Sequence, residues 1–377
     1  MTRILFLVSS MHGGGAERVA ALLCNHWAAQ GHQVTLIPTF SGRGECQYPL
    51  DERVQLDYLA DRVGSQSRST YNKIRRMIAL RRAIRELSPD VIVSFLPPVN
   101  VAAVLAAWGL RIPVVVSERI HPPAMPLGKG LAALRRFAYP RATGVVVQTR
   151  RTLAWLRACC PKSRGWVISN PVVHPLPAGR PHLDPAAVID RARRVVLAVG
   201  RLEKQKGFEQ LLVAFAALVP RYSGWDLVIL GEGPERERLE AQRDHLGLSG
   251  RVHLPGRAGN PGDWYARADL YVMSSRFEGF PNTLIEAMAY GLPAVSFDCE
   301  TGPADIIRDG VDGYLVPLDE GVEGLARAME HLMDDEEKRC RMGHAATAVR
   351  ERFSMGRVMA AWDEVLGLCT IQGGKAG

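Results

Sequence analysis

The stretch VVLAVGRLEKQKGFEQLLVAFAAL runs from Val195 to Leu218. It opens on a short, unbroken apolar run and closes on apolar residues at helical spacing. A strand that is apolar on both faces belongs in a parallel sheet covered by helices on each side. The stretch therefore predicts strand Val195–Val199, a charged turn, and helix Phe208–Leu218. Arg201 falls at the strand end and Lys206 near the start of the next helix. A guanidinium fork and an ammonium point charge so placed can converge on a diphosphate, helped by the unpaired N–H groups of a helix N-terminus. The competing reading is two solvated cations screened by Glu203 and Glu209.

The same alternation fills the chain. Strands are expected at 3–8, 33–37, 91–95, 113–116, 144–147 and 166–168, then at 195–199, 225–230, 251–254, 269–273, 293–296 and 314–316. Between them lie amphipathic helices at 16–30, 71–87, 208–218 and 234–246. The two series are separated by Asn170–Arg194, a non-periodic, proline-rich stretch that reads as a linker. With 377 residues the chain is too long for one ordinary core. The expected fold class is α/β, with two doubly wound, Rossmann-like domains facing each other across a cleft. Ligands of such sheets bind beyond the carboxyl ends of the strands.

The totals narrow the class. The composition, 47% hydrophobic and 23% charged, excludes disorder and collagen-like repeats. Seven cysteines without a CxxC or Cys/His spacing suggest a reduced, cytoplasmic compartment and no zinc site. The opening MTRILFLVSS reads as a strand, not a leader. The uncharged run Val91–Leu110 is long enough to span a bilayer, but Pro97, Pro98 and Asn100 cut it into a strand and a helix. Charge is uneven: residues 1–180 carry a net +15 and residues 181–377 a net −7. The basic half holds two basic helical pieces. One is NKIRRMIALRRAIREL, with Ile74, Met77, Leu80, Ile84 and Leu87 on one stripe; the other is KGLAALRRFAYPR (Lys129–Arg141). Solvated faces are the ordinary reading, and an anionic membrane surface is the alternative partner. Nucleic acid is not expected, because the arginines lack interleaved aromatics.

Four further motifs follow expected strands. EGFPNTLIEAMAYGLP places Glu278 and Glu286 eight residues apart around a tight turn, with the backbone N–H groups of Asn282, Thr283 and Leu284 as an anion cradle. Thr283 and Glu286 also fit a capping box. SSMHGGGAERVA has a glycine triplet before a helix, including Gly14 and Gly15, but matches neither GxGxxG nor a P-loop. SERIHPP clusters Glu118, Arg119 and His121, where an ordinary loop histidine is an equal reading. SFDCETGPADII puts Thr301 and Gly302 before another helix start. No DxD-type metal pair is read at a strand end in either half and no GxSxG element is present, so phosphate charge would be met by protein groups.

Taken together, Gly13–Gly15, Arg201, Lys206 and the Glu278/Glu286 pair resemble glycosyltransferase family 4, whose members are retaining, metal-independent enzymes of the GT-B fold. The resemblance spans nearly the whole chain and is sharpest in GRLEKQKGF, LGEGPERERLE and SRFEGFPNTLIEAMAYGLPAV. It implies an N-terminal acceptor domain over 1–170, a nucleotide-sugar domain over 171–354, and a terminal helix at about 355–370 that returns to the first. It implies that Arg201 and Lys206 clamp the donor diphosphate, Glu286 holds the ribose, and Glu278 meets the donor sugar. Gly14 and Gly15 would approach the diphosphate or acceptor, and His121 would lie near the sugar. Backbone around Gly256 would meet the base. The expected activity moves a hexose or N-acetylhexosamine from a UDP-sugar to a lipid-linked saccharide in bacterial surface glycan assembly, without cofactor, in the cytoplasm, and the basic first half adds the inner face of the cytoplasmic membrane as a place for peripheral docking. The alternative is a non-catalytic subunit of the same fold that binds sugar-nucleotide or lipid and scaffolds a membrane complex.

Overall fold

The computed structural model describes residues 1–41, 46–63 and 70–374. The chain forms two compact units. Unit 1 is Met1–Asn170 with Gly356–Gly377, and unit 2 is Pro171–Met355.

Unit 1 is a parallel sheet of β1 (Arg3–Val8), β2 (Gln33–Pro38), β3 (Val54–Leu56), β4 (Val91–Phe95), β5 (Val114–Ser117), β6 (Gly144–Val147) and β7 (Gly165–Val167). Their order is β3-β2-β1-β4-β5-β6-β7. The β1, β4, β5 and β6 strands are almost wholly buried, as their unbroken apolar runs require. β3 was not legible in the sequence: three residues with one exposed glutamine carry no period. The run Val91–Leu110 divides into strand and helix as expected, and Pro97 and Pro98 themselves open helix Pro97–Ala107, where the missing proline N–H groups cost nothing. Helix Met355–Gly374 belongs to unit 1 from Gly356 onward, with Trp362 edge-on to Trp27 and tilted on Phe95. The Trp27 indole N–H donates to Asp363 at 3.0 Å.

Unit 2 is a second parallel sheet, of β8 (Arg194–Val199), β9 (Trp225–Leu230), β10 (Val252–Gly256), β11 (Leu270–Met273), β12 (Ala294–Phe297) and β13 (Gly313–Val316). The order is β10-β9-β8-β11-β12-β13. In each unit the first strand of the set lies beside the fourth, so the chain leaves in opposite directions there. That makes β1/β4 and β8/β11 the topological switch points, where an open α/β sheet leaves a crevice at its carboxyl edge.

The boundary between the units falls at Asn170/Pro171, at the start of the expected linker, and residues 171–194 form a strap bonded along unit 2. The Val172 N–H donates to the Phe353 carbonyl, Leu176 N–H to the Tyr290 hydroxyl, and Leu183 N–H to Asn260. Proline removes periodicity without preventing such bonds. On helix Thr70–Leu87, Leu80 and Ile84 are buried as the stripe requires, but Ile74 lies exposed.

Candidate active site

The β8/β11 switch point gathers most of the charge. Beyond β8 the chain makes a single 3-10 turn, Lys204–Lys206, and helix Phe208–Leu218 starts only after Gly207. Lys206 thus sits before the helix and reaches sideways to the β11 loop. Its Nζ lies 2.6 Å from Glu278 Oε1, and both side chains are mostly covered. The Ser275 hydroxyl donates to the same Oε1 at 2.7 Å. Both contacts fall on one oxygen, which leaves Oε2 as the edge of the carboxylate for a ligand hydroxyl. Arg201, by contrast, is exposed, with Glu203 3.2 Å away. It is a solvated cation beside a covered one.

Three loops hold this cluster rigid. Gly207 has φ +62°, and a Cβ there would come within 2.2 Å of the Ser274 carbonyl oxygen, so the β8 and β11 loops touch backbone to backbone. The Ser274 hydroxyl donates to the Lys206 carbonyl at 2.9 Å, and the Gln205 amide to the Phe277 carbonyl at 2.9 Å. From the β12 side, the Thr301 hydroxyl donates to the Glu278 carbonyl at 2.5 Å. Gly302, at φ +102°, packs against Pro281 and the Gly279 carbonyl.

Helix Asn282–Ala289 begins after Pro281 and no side chain caps it. The capping-box reading of Thr283 and Glu286 therefore falls. The Thr283 hydroxyl instead accepts from Tyr271 at 2.8 Å. The Tyr265 hydroxyl donates to Glu286 Oε2 at 3.2 Å. Asn282, Thr283 and Leu284 occupy the first helical turn, where N–H groups have no intrahelical acceptor. Burial, together with the charges of Glu278 and Glu286, raises the Tyr271 phenol above its usual range, so it remains a hydrogen-bond donor. Gly256 ends β10, where its carbonyl accepts from the Gly231 N–H at 2.9 Å. Sequence reasoning missed Ser275, Tyr265 and Tyr271. Ser275 stands three residues before Glu278, which was a usable signal; the tyrosines read as core.

Unit 1 treats its candidates differently. Glu118, Arg119 and His121 follow β5, but all three side chains turn inward. Glu118 is 1% exposed and accepts from the Tyr139 hydroxyl at 2.5 Å, with Arg135 3.5 Å away. Asn100 continues the chain, donating to Tyr139 at 3.1 Å and accepting from Ser94 at 2.8 Å. Burial pushes the Glu118 carboxyl up to about 6, against the pull of Tyr139 and Arg135. Arg119 stacks over Phe95 at 4.2 Å and donates to Asn170, and burial lowers it to about 9. His121 is buried with Nδ1 3.4 Å from the Thr152 hydroxyl. The substrate contacts expected of Glu118 and Arg119 are thus replaced by an internal network, because a strand end can face inward as readily as outward.

Gly15 begins helix Gly15–Ala29, with Gly14 before it. The Gly14 N–H donates to the Tyr48 hydroxyl at 3.2 Å, and that hydroxyl donates to the Gly14 carbonyl at 3.0 Å. Glu17 lies against Gly14 and accepts from the Ser10 hydroxyl at 3.1 Å. A carboxylate there disfavours phosphate, so this loop suits neutral hydroxyls better than a diphosphate. Among the described residues, no group of three or more His, Cys, Asp or Glu side chains is disposed to hold a metal ion. Cys24, Cys46, Cys159, Cys160, Cys299 and Cys340 are free; the side chain of Cys369 lies outside the described residues.

Two family models match consecutive parts of the chain: Glycosyltransferase Family 4 over residues 13–174, and Glycosyl transferases group 1 over residues 180–349. The lipopolysaccharide core biosynthesis glycosyltransferase LpsD of Rhizobium meliloti is 30% identical over 75% of this chain and 76% of its own length. The chain belongs to glycosyltransferase family 4. A Campylobacter jejuni enzyme named as a GalNAc-alpha-(1->4)-GalNAc-alpha-(1->3)-diNAcBac-PP-undecaprenol alpha-1,4-N-acetyl-D-galactosaminyltransferase is 28% identical over 96% of this chain and 97% of its own. Exopolysaccharide phosphotransferase SCO2592 of Streptomyces coelicolor is 30% identical over 93% of this chain, which spans 39% of that relative's length. Among solved structures, Anabaena HepE in complex with UDP superposes with a TM-score of 0.80 at 21% identity, over 97% of this chain and 99% of that one. The fold is the GT-B type, two Rossmann-like domains on one chain.

Proposed function

We propose that this family 4 glycosyltransferase moves a hexose or N-acetylhexosamine from a UDP-sugar to a lipid-linked saccharide, with retention and without a metal ion, at the inner membrane surface of a bacterium. The observation that carries the donor part is the Lys206–Glu278–Ser275 cluster at the β8/β11 switch point, beside exposed Arg201. Breaking a sugar–diphosphate bond develops negative charge on the leaving phosphate. Arg201, fixed Lys206 and the first-turn amides after Pro281 supply positive charge to meet it. Glu278 Oε2 and Glu286 accept from hydroxyls of the sugar and the ribose. Glu278 is tied to a cation and a hydroxyl, which suits binding better than attack on carbon. Departure and same-face attack within one ion pair then account for retention. Support for the substrates comes from relatives: HepE was solved with UDP and the Campylobacter enzyme is named for an undecaprenyl-diphosphate-linked acceptor.

The test is a mass-spectrometric screen of nucleotide-sugars against polyprenyl-diphosphate oligosaccharides, with and without EDTA. Transfer from a UDP-sugar, unchanged by EDTA and giving an axial product from an axial donor, supports the reading. UDP binding with no transfer or hydrolysis across the panel would replace it with a non-catalytic subunit. Strict need for Mg²⁺ or Mn²⁺ would remove the metal-free scheme.

A further inference from the structure

Helix Lys129–Ala138 turns Arg135 and Ala138 inward. On its other side, Leu134 and Phe137 are 45% and 38% exposed. Gly130, Leu134, Phe137 and Arg141 follow one another at spacings of four, three and four, which keeps them on one face of a continuing helical path. Trp108, at the end of helix Pro97–Ala107, completes the surface. It is 53% exposed, and its ring centroid lies 5.3 Å from that of Phe137. The Arg141 guanidinium sits over both rings, 3.7 Å from Phe137 and 5.2 Å from Trp108. Arg81 holds the Trp108 end by donating to the carbonyls of Ala106 and Trp108 at 2.7 and 2.8 Å.

Three large apolar side chains held in water in a fixed arrangement are a cost to the isolated protein unless something covers them. Charge indicates what does. From Val91 to Asn170 the sequence has eleven Lys and Arg residues and a single acid, Glu118, which is buried. Lys129, Arg136 and Arg141 border the apolar stripe and are exposed. Aromatic rings with arginines over them are suited to the boundary between lipid headgroups and acyl chains, where ring faces enter and guanidinium groups remain with phosphate.

We propose that Trp108, Leu134 and Phe137, with Lys129, Arg136 and Arg141 around them, form a docking face for the anionic headgroup layer of a lipid bilayer. The inference rests on the membrane part of the proposed function and locates it. It assigns the contact to the helix at 129–138, not to the longer basic helix at 70–87. The aromatic and leucine side chains insert to shallow depth, and the cations pair with lipid phosphate. Each cation contributes on the order of fivefold in binding at low salt.

Flotation of the full chain with phosphatidylglycerol/phosphatidylcholine vesicles and with phosphatidylcholine alone tests this, using wild type, Arg136→Glu/Arg141→Glu and Leu134→Ser/Phe137→Ser. Expected is wild-type flotation on anionic vesicles only, weakened by 0.5 M salt, and a loss of about tenfold or more in each double variant. All three proteins should melt within a few degrees of one another, because the altered side chains are exposed. Failure of the wild type to float removes membrane docking altogether. Wild-type flotation that both variants retain overturns this face while leaving the membrane reading in place. A wild-type dimer dissolved by Leu134→Ser/Phe137→Ser would assign the face to a second copy of the chain and overturn the proposal.

Discussion

Lys206 Nζ lies 2.6 Å from Glu278 Oε1 across the β8/β11 switch point, joining two loops that are 72 residues apart in sequence. The pair is largely covered by protein. An ion pair so placed contributes little net stability while whole, yet losing one partner leaves a charge without compensation. Lys206→Ala should lower stability by about 2 kcal/mol in urea melts. Lys206→Ala/Glu278→Ala should lose less than the sum of the two single variants. Strict additivity would show that the pair is not energetically coupled. Under the proposed chemistry, Lys206→Ala should also reduce turnover by ~10²-fold.

Arg201 separates chemistry from folding more cleanly. Its side chain is 70% exposed and meets the half-buried carboxylate of Glu203 at 3.2 Å. Arg201→Ala should leave the melting curve within about 0.5 kcal/mol of wild type. Turnover should still fall by ~10²–10³-fold if this cation meets the leaving phosphate. Normal kcat in this variant would remove Arg201 from the diphosphate clamp.

Gly207→Ala tests the contact between loops. At φ +62° a new methyl group would lie 2.2 Å from a backbone oxygen that cannot rotate away. The left-handed conformation and the displaced loop together should cost at least ~2 kcal/mol. Gly224→Ala, where a Cβ meets nothing within 4 Å, is the control. Equal stability of the two variants would contradict the backbone contact.

Glu118 makes stability depend on pH. Its carboxyl is pushed up to about 6 from an ordinary 4.5, so the folded chain holds the proton more tightly than the unfolded one. The contribution is fully present below about pH 4.5 and is lost as pH rises through 6, a change of about 2 kcal/mol. Glu118→Gln should remove this component. Its stability relative to wild type should therefore rise between pH 4.5 and 7 in denaturant titrations. A difference that stays flat over that range would mean the carboxyl is not raised.

Strand type and the motif positions were readable because they are local. An apolar run such as Val195–Val199 can be satisfied only between two helical layers, and Arg201, Lys206 and Glu278 lie in the turns that follow strands, with Glu286 in the next helix, wherever those strands lie. The sequence by itself therefore determined the α/β class, the two series of strands and the residues at their carboxyl edges. Tertiary structure decided which of those residues meet. Strand order placed β8 beside β11 and so brought Lys206 to Glu278 and Ser275. The direction of a side chain at a strand end depends on the cavity its neighbours leave, which no local pattern encodes. That is why Glu118 and Arg119 went into the interior of unit 1 and why a proline-rich stretch became a bonded strap. The same dependence left Trp108 and Phe137, which look like core residues in sequence, facing water.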